Sequence, residues 1–366
     1  MKVVIISNLL WNIVHYRSAL IEKLDSDNDL YLIGKIDDDI DLSKYDFEVY
    51  NLEIDRRGHN VFKDLILILQ YLKILKMIKP DLVLTFTIKP NIYASISCHL
   101  LRIPVLNTIT GMGSGFLNKR FIKNIVFFLY KLSIKYSKRV FFQNRSDRDL
   151  FIKKNIVGSR NSTVVPGSGI KLSDFDISSY DFESKDFNFI YIGRILRDKG
   201  LYEFLEAAKL VKNKYKNISF TVIGNFEDDC DDKLISLIQD CSKKNIIRYL
   251  GKKKNIGKYL AKSSCVVLPS YREGLPRVLL EAGIFKKPSI VANVPGSNDV
   301  IIDGYNGYLF EVRNISDMEQ KMIKIYNDSA DLIKTFGINA HENVVRRFTS
   351  EVVVEIYLKE ISKHGI

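Results

Sequence analysis

Cysteine, histidine and tryptophan are scarce in this chain of 366 residues, at four, five and one respectively. Cys98, Cys230, Cys241 and Cys265 form no C-x-x-C pair, so the pattern supports neither a disulfide framework nor a zinc site and points to a reducing compartment. Long apolar runs are missing too. A membrane-spanning helix needs roughly 20 uninterrupted apolar residues, and lysines break both candidate stretches, Asp64 to Ile78 and Phe121 to Ile134. Met1 to Asn8 has too short an apolar run for a secretory signal and reads as a first strand. The turn after it lacks G-x-G-x-x-G, which argues against a dinucleotide oxidoreductase. Acids are rare in one region: residues 56–171 hold 21 Lys or Arg against Asp64, Asp81, Asp147 and Asp149, whereas residues 1–55 are acidic. Such asymmetry suggests a basic surface aimed at a membrane, a phosphorylated acceptor or a nucleic acid. No finger, RNP-like aromatic strand or helix-turn-helix accompanies it, so nucleic acid is not expected.

What is present is alternation. Strand-like stretches at Val3 to Ile6, Leu30 to Ile33, Leu82 to Thr85, Val105 to Asn107 and Arg139 to Phe142 alternate with helical ones in the first half. Phe189 to Ile192, Ser219 to Ile223, Val266 to Leu268, Ser289 to Ala292 and Gly307 to Phe310 do so in the second. This predicts an α/β protein with parallel sheets. At 46% apolar content the chain can bury two cores of ordinary domain size. Gly167 to Asp186 turns polar and rich in Ser and Asp, as a hinge would. Domains are therefore predicted at 1–170 and 185–349.

Two loops of the second half carry residues suited to chemistry. Phe187 to Ile192 runs into Gly193-Arg194-Ile195-Leu196-Arg197-Asp198-Lys199-Gly200, ahead of a helix from Leu201 to Val211. Gly193 permits close backbone approach, Arg194 and Lys199 bring fixed positive charge, and the helix start offers free N–H groups: together a diphosphate cradle. Standing alone, the same turn also suits a solvated basic loop. Further on, Glu273-Gly274-Leu275-Pro276 leaves the strand Cys265 to Leu268, with Pro276 predicted as the first helical residue. Glu281, eight positions after Glu273, can lie on the same face. Ligands of open parallel sheets bind beyond the carboxyl ends of the strands, so one carboxylate could hold sugar hydroxyls and the other a ribose. The spacing by itself also describes a loop acid and a helix-surface Glu.

These segments, with Phe220-Thr221-Val222-Ile223-Gly224, Leu268-Pro269-Ser270, Glu281-Ala282 and Asp303 to Leu309, resemble family 4 of the retaining glycosyltransferases. The resemblance covers nearly all of the chain and is most specific from about residue 188 to 310. In the first half, Thr87 to Tyr93, Asn107 to Gly113 and Phe141 to Asn144 look like the subgroup that builds bacterial capsule, O-antigen and lipid-linked oligosaccharides. It implies the GT-B fold of two facing Rossmann-like domains with parallel sheets. The N-terminal domain would bind the acceptor and be rejoined by a C-terminal helix at about 350–366; the other would bind a nucleotide sugar. The implied donor is a UDP-linked N-acetylhexosamine or hexose, with no further cofactor and no metal, and the implied acceptor is a polyprenyl-diphosphate-linked saccharide. In such a mechanism the donor diphosphate leaves from the face on which the acceptor hydroxyl enters. Arg194 and Lys199 would stabilise its growing charge, Glu273 would orient the donor sugar, and Gly193, Gly274, Leu275, Pro276 and Glu281 would hold the nucleotide, Glu281 at the ribose. A UDP-sugar 2-epimerase of the same fold and a non-catalytic sugar-nucleotide or lipid-binding module remain as alternatives.

The chain departs from better-known relatives on the acceptor side. A Gly-Gly loop after the first strand is replaced by Asn8-Leu9-Leu10-Trp11-Asn12, and the usual His after a middle strand by Thr110-Gly111-Met112-Gly113-Ser114-Gly115. His15 is the substitute candidate, unless it is only a structural residue at a helix entry. Thr110 and Gly111 could present a hydroxyl and backbone N–H groups, and Lys89 and Asn91 line an acceptor pocket or form a simple Pro-containing turn. In Lys119 to Arg139, Arg120, Lys123, Lys131 and Lys135 recur near helical spacing, with Phe121, Ile125, Phe128, Leu129 and Leu132 on other faces. That is the pattern of a helix lying on an anionic membrane, or of a domain helix that packs its apolar residues on its own sheet. A cytoplasmic enzyme at the inner face of the membrane is expected. The acidic clusters Asp37-Asp38-Asp39 and Asp228-Asp229-Cys230-Asp231-Asp232 read as solvated surface rather than metal ligands.

Overall fold

The computed structural model describes residues 1–37, 40, 42, 45–55, 60–112, 120–182, 186–227 and 230–363, and the side chains of 120–122 also lie outside that description. Every strand pairing among the described residues is parallel. The chain divides into two compact units, Met1–Gly169 with Ser350–Ile366, and Ile170–Thr349.

The first unit runs β1 Lys2–Leu9, α1 Leu10–Tyr16, α2 Ser18–Asp25, β2 Asp29–Lys35, β3 Glu48–Asn51, α3 Val61–Ile78, β4 Leu82–Phe86, α4 Ser95–Leu101, β5 Val105–Ile109, α5 Arg120–Ser133, β6 Arg139–Phe142, α6 Arg145–Lys153 and β7 Ser162–Val164. Its sheet has the order β3-β2-β1-β4-β5-β6-β7. Strand alternation sorts the helices. Leu82, Leu84, Phe86, Leu106 and Phe141 share a core with α1 and α2, whereas Val83 and Val105 face α3 and α4. Val140, Phe142 and Ile109 pack on α5. The helices α3, α4 and α5 therefore form one layer on one side of the sheet.

The second unit runs β8 Phe187–Ile192, α7 Leu201–Lys214, β9 Ile218–Ile223, α8 Asp232–Lys243, β10 Arg248–Tyr249, α9 Gly257–Ala261, β11 Cys265–Leu268, α10 Arg277–Ile284, β12 Ser289–Ala292, α11 Ser297–Val300, β13 Gly307–Phe310, α12 Ile315–Asn327 and α13 Ala330–Arg347. Its order is β10-β9-β8-β11-β12-β13. The last helix, α14 Ser350–Ser362, puts Val353, Tyr357 and Ile361 into the core of the first unit. Tyr357 shares a hydrogen bond of 2.7 Å with Thr108, and Arg139 donates to Glu360 at 2.7 Å.

Both sheets start in the middle and grow outward on either side of their first strand. The place where the direction reverses is β1/β4 in one unit and β8/β11 in the other, and there the strand exits diverge to leave room for a ligand.

Three strands were not expected from sequence. β3 is a half-exposed edge reading Glu-Val-Tyr-Asn, and β7 and β10 have three and two residues, too few for a period to show. Pro276 is not the first helical residue. With φ −75° and ψ 114° it is the extended N-cap, and α10 begins at Arg277.

Candidate active site

In the second unit the exits of β8 and β11 are neighbours because Cys265 pairs with Phe189 and Val266 with Ile190. Glycine lets them close on each other. Gly200, at φ +70°, starts α7 so near β11 that a Cβ there would lie 2.1 Å from the Pro269 carbonyl oxygen. The Tyr271 N–H donates to the Asp198 carbonyl at 2.9 Å, joining the two loops. Across this seam Lys199 Nζ donates to Glu273 Oε1 at 2.6 Å, with the two side chains only 14% and 15% exposed. Two residues assigned separate roles from sequence are thus in direct contact, each orienting the other.

Glu281 lies on α10, where Arg277 Nε donates to its Oε1 at 3.0 Å across one helical turn. Burial pushes the Glu281 carboxyl above the ordinary carboxylate range, against the pull of Arg277. Arg194 is the open cation of the set. Its side chain is 54% exposed, with Nη1 4.0 Å from Glu227, and its carbonyl accepts from the Tyr191 hydroxyl at 2.8 Å. Gly193 is fixed by its N–H, which donates to the Ile223 carbonyl at 3.0 Å. Gly274 and Leu275 are partly exposed in the turn, and Pro276 is buried behind it.

Sequence reasoning missed several neighbours of this turn. A Cβ on Gly296, at φ +85°, would fall 2.6 Å from the Gly274 carbonyl oxygen, so the start of α11 rests against the Glu273-Gly274 backbone. The Pro295-Gly296 pair was the available signal for that turn. Arg277 was legible as well, from its spacing of four to Glu281. The Tyr271 hydroxyl donates to buried Glu203 at 2.6 Å beneath the Arg313 guanidinium, 4.3 Å from the ring centroid. No local pattern announces that stack, whose members come from three distant segments.

In the first unit the β1 and β4 exits meet where the Asn8 N–H donates to Thr87 Oγ1 at 3.2 Å. His15 is exposed on α1, with its ring stacked 4.2 Å from Trp11. Thr110 and Gly111, the latter at φ +117°, are partly exposed at the exit of β5, while 113–115 of the same turn lie outside the described residues. Lys89 is held inward by Asp64 at 2.7 Å, and Tyr93 donates to the same carboxylate at 2.7 Å. Asn91 does not line a pocket. It is fully buried, accepting from Thr85 at 2.7 Å and donating to the Thr108 carbonyl at 2.8 Å, so its amide organises the domain interior. Arg17, unremarked from sequence, is buried with its guanidinium 4.4 Å from the Phe86 ring centroid.

The helix α5 shows both of its expected faces. Phe127 and Tyr130 pack edge-on against Phe151, while Ile125, Phe128 and Leu132 are exposed. Lys131 and Lys135 are exposed, Lys123 is partly so, and the Arg120 side chain lies outside the described residues. Of the acidic clusters, Asp38, Asp39, Asp228 and Asp229 lie outside the description too. Among the described residues no group of three or more His, Cys, Asp or Glu converges as metal ligands, and no helix is long and apolar enough to cross a membrane.

Comparison with known proteins gives the family and the fold. Residues 173–343 match the family described as glycosyl transferases group 1, and residues 9–144 match glycosyl transferase 4-like. The chain is 25% identical to a capsular polysaccharide biosynthesis glycosyltransferase of Staphylococcus aureus, covering 89% of this chain and 88% of the relative. It is 26% identical to the N,N'-diacetylbacillosaminyl-diphospho-undecaprenol alpha-1,3-N-acetylgalactosaminyltransferase of Campylobacter jejuni, covering 98% of each. Among solved structures, an Anabaena protein crystallised with UDP-glucose superposes with a TM-score of 0.79 at 15% identity, covering 99% of this chain and 100% of that one, which shows the shared GT-B fold. The two families together span both units, and the chain is a glycosyltransferase belonging to them.

Proposed function

We propose that this glycosyltransferase moves a sugar from a UDP donor onto a polyprenyl-diphosphate-linked saccharide, with retention of anomeric configuration and without a metal. The observation that carries the reading is the Lys199–Glu273 pair closed across the β8/β11 switch point, with Arg194 on the β8 exit and Glu281 on α10 after the β11 exit. A diphosphate placed there meets the Lys199 ammonium, the Arg194 guanidinium and the start of α7. Glu273, fixed by Lys199, orients the donor sugar, and Glu281, fixed by Arg277, holds the ribose hydroxyls.

In the transfer step the bond from the anomeric carbon to the diphosphate oxygen breaks and a bond to the acceptor oxygen forms on the same face. The acceptor proton passes to an oxygen of the departing phosphate. Negative charge grows on that phosphate, so a cation already held in place stabilises the transition state more than the ground state. The first unit supplies the acceptor side, with His15, Lys89, Thr110 and Gly111 at or near the exits of β1, β4 and β5. Its basic helix α5, through Lys123 and Lys131, and Lys135 in the turn just after it hold the enzyme at the anionic inner face of the membrane.

The Campylobacter relative is named for a diphospho-undecaprenol acceptor and the Anabaena structure for its UDP-glucose, which supports both substrate classes. Both matched families are glycosyl transferases, which favours transfer over epimerisation. Incubation with a panel of UDP-sugars and short-chain lipid-diphosphate saccharides, read by mass spectrometry, tests the reading. The account expects one UDP released per sugar added to the lipid-linked product. Epimerised sugar without any need for acceptor, or binding without turnover across the panel, would replace it with one of the alternatives.

A further inference from the structure

Resting on the membrane reading above, we propose that α3 is a second lipid-contacting element, and that it inserts its outer face into an anionic bilayer beside α5. The helix is apolar on both sides. Leu67, Tyr71, Leu75 and Ile78 are buried against the sheet, yet Val61, Phe62, Leu65, Ile66 and Leu69 point outward, with Phe62 80% exposed. An all-round apolar helix is ordinarily an interior one, and an exposed patch of this kind marks an interaction surface.

The patch continues across the helical layer. Leu100 on α4 and Ile125, Phe128 and Leu132 on α5 are exposed on the same side of the sheet. An open groove of about 630 Å³ between α4 and α5 is lined by Leu100, Leu132 and Tyr136, with Arg102 and Lys138 among its walls. Charge selects the occupant. The three helices contain one acid, Asp64, and it is engaged by Lys89 and Tyr93, while Lys63, Lys73, Lys76 and Lys131 are exposed. Lys63 has Asp55 at 4.0 Å in an exposed pair; apolar side chains ringed by such exposed lysines fit an anionic leaflet, in which the lysine heads reach phosphate and the apolar groups enter the acyl boundary. A second copy meeting this face symmetrically would oppose lysine to lysine.

The apolar load is also graded along α3. Five of its six exposed apolar residues occupy the first nine positions; Lys73 and Lys76 follow, and Met77 is the one exposed apolar residue near the other end. A helix returning from a parallel strand begins at the carboxyl edge of the sheet, so this load sits at the edge where Thr110 and the β1 exit lie. Insertion there brings the lipid surface to the acceptor end of the unit.

The test uses the full chain and vesicles of phosphatidylglycerol and phosphatidylethanolamine at physiological salt. Phe62→Glu with Leu65→Glu should lower vesicle partitioning at least tenfold, leave the melting temperature in place, and leave transfer to a detergent-free short-chain acceptor unchanged. In a Trp11→Phe background, Phe62→Trp should show a blue shift and quenching by brominated acyl chains. Partitioning within twofold of wild type, or Phe62→Trp emission that ignores the vesicles, overturns the proposal. If at the same time Lys123→Ser, Lys131→Ser and Lys135→Ser together abolish partitioning, the α5 reading survives without α3. A dimer in vesicle-free solution that Phe62→Glu dissociates would assign the face to a second copy, again overturning it. Absence of wild-type partitioning would remove both readings.

Discussion

Lys199 and Glu273 neutralise each other across a seam that water barely reaches, so each depends on the other for its position. Lys199→Ala should lower kcat by about 10² to 10³, or roughly 3 to 4 kcal/mol, the usual cost of removing a preorganised charge-stabilising group. Steady-state kinetics would show it, and a fall below threefold would take Lys199 out of the reaction. Glu281 is expected to behave differently because the proposed role places it at the ribose, away from the breaking bond. Glu281→Gln should raise KM for the donor about tenfold and leave kcat nearly unchanged, the signature of binding shared by ground and transition states. A loss confined to kcat would reassign Glu281 to the chemistry. Lys287 offers a stability test in the same unit. Burial pulls its ammonium down to about 8 from an ordinary 10.5, so between those values the unfolded chain holds a proton that the folded one lacks. Stability must therefore rise with pH across that window, by up to about 3 kcal/mol. Lys287→Met should remove that part of the rise in denaturant titrations at pH 8 and pH 10.5, and identical slopes would contradict it.

At the scale of elements, α14 is the part of the chain whose removal should hurt most. It supplies Val353, Tyr357 and Ile361 to the core beneath α1 and α2, and Glu360 to Arg139 through a pair with side chains only 15% and 8% exposed. Burial would raise the Glu360 carboxyl, but Lys363 and Arg139 outweigh it and hold it below its ordinary value. The stabilisation from this depressed group is full above the unfolded value of about 4.5 and is lost as pH falls through the folded one. Glu360→Gln should destabilise the first unit by about 3 kcal/mol at pH 7, since it leaves a nearly buried guanidinium without its carboxylate. A change below 0.5 kcal/mol in chemical denaturation would show the pair to be dispensable. Deleting 350–366 should abolish cooperative folding of the first unit alone.

Much of this level was readable in advance. The buried parallel strands, such as Val3 to Ile6 and Val266 to Leu268, are short, β-branched apolar runs, and their length and bounding turns mark them. β3 was not readable because an edge strand like Glu-Val-Tyr-Asn has one neighbour and little apolar content. The candidate site was legible as a placement of residues. Gly193, Arg194, Lys199, Glu273 and Glu281 lie on contiguous motifs at strand ends, whereas the Glu203, Tyr271 and Arg313 stack exists only after folding brings three segments together. Asn91 misled for a related reason. A polar residue after Pro90 looks like loop surface, but the π-helical turn Pro90–Ala94 carries it inside, where Thr85 and Asn107 need a partner.

For the molecule as a whole, each of the two units has apolar cores of its own, which predicts two separable stabilities. A ligand that binds one folded unit stabilises that unit by mass action, by about 2.7 kcal/mol at a hundred times its Kd, and so raises its melting temperature. UDP should shift the transition of Ile170–Thr349 and leave the other in place, and a shift confined to the first unit would assign the nucleotide to the wrong sheet. The most direct test of the central claim is a crystal structure with UDP bound. The account predicts the diphosphate oxygens within about 3 Å of Lys199 Nζ, beside the Gly193-Arg194 turn, with the ribose hydroxyls on Glu281. UDP seated at the β1/β4 exits, or anywhere away from Arg194, Lys199 and Glu281, would contradict it.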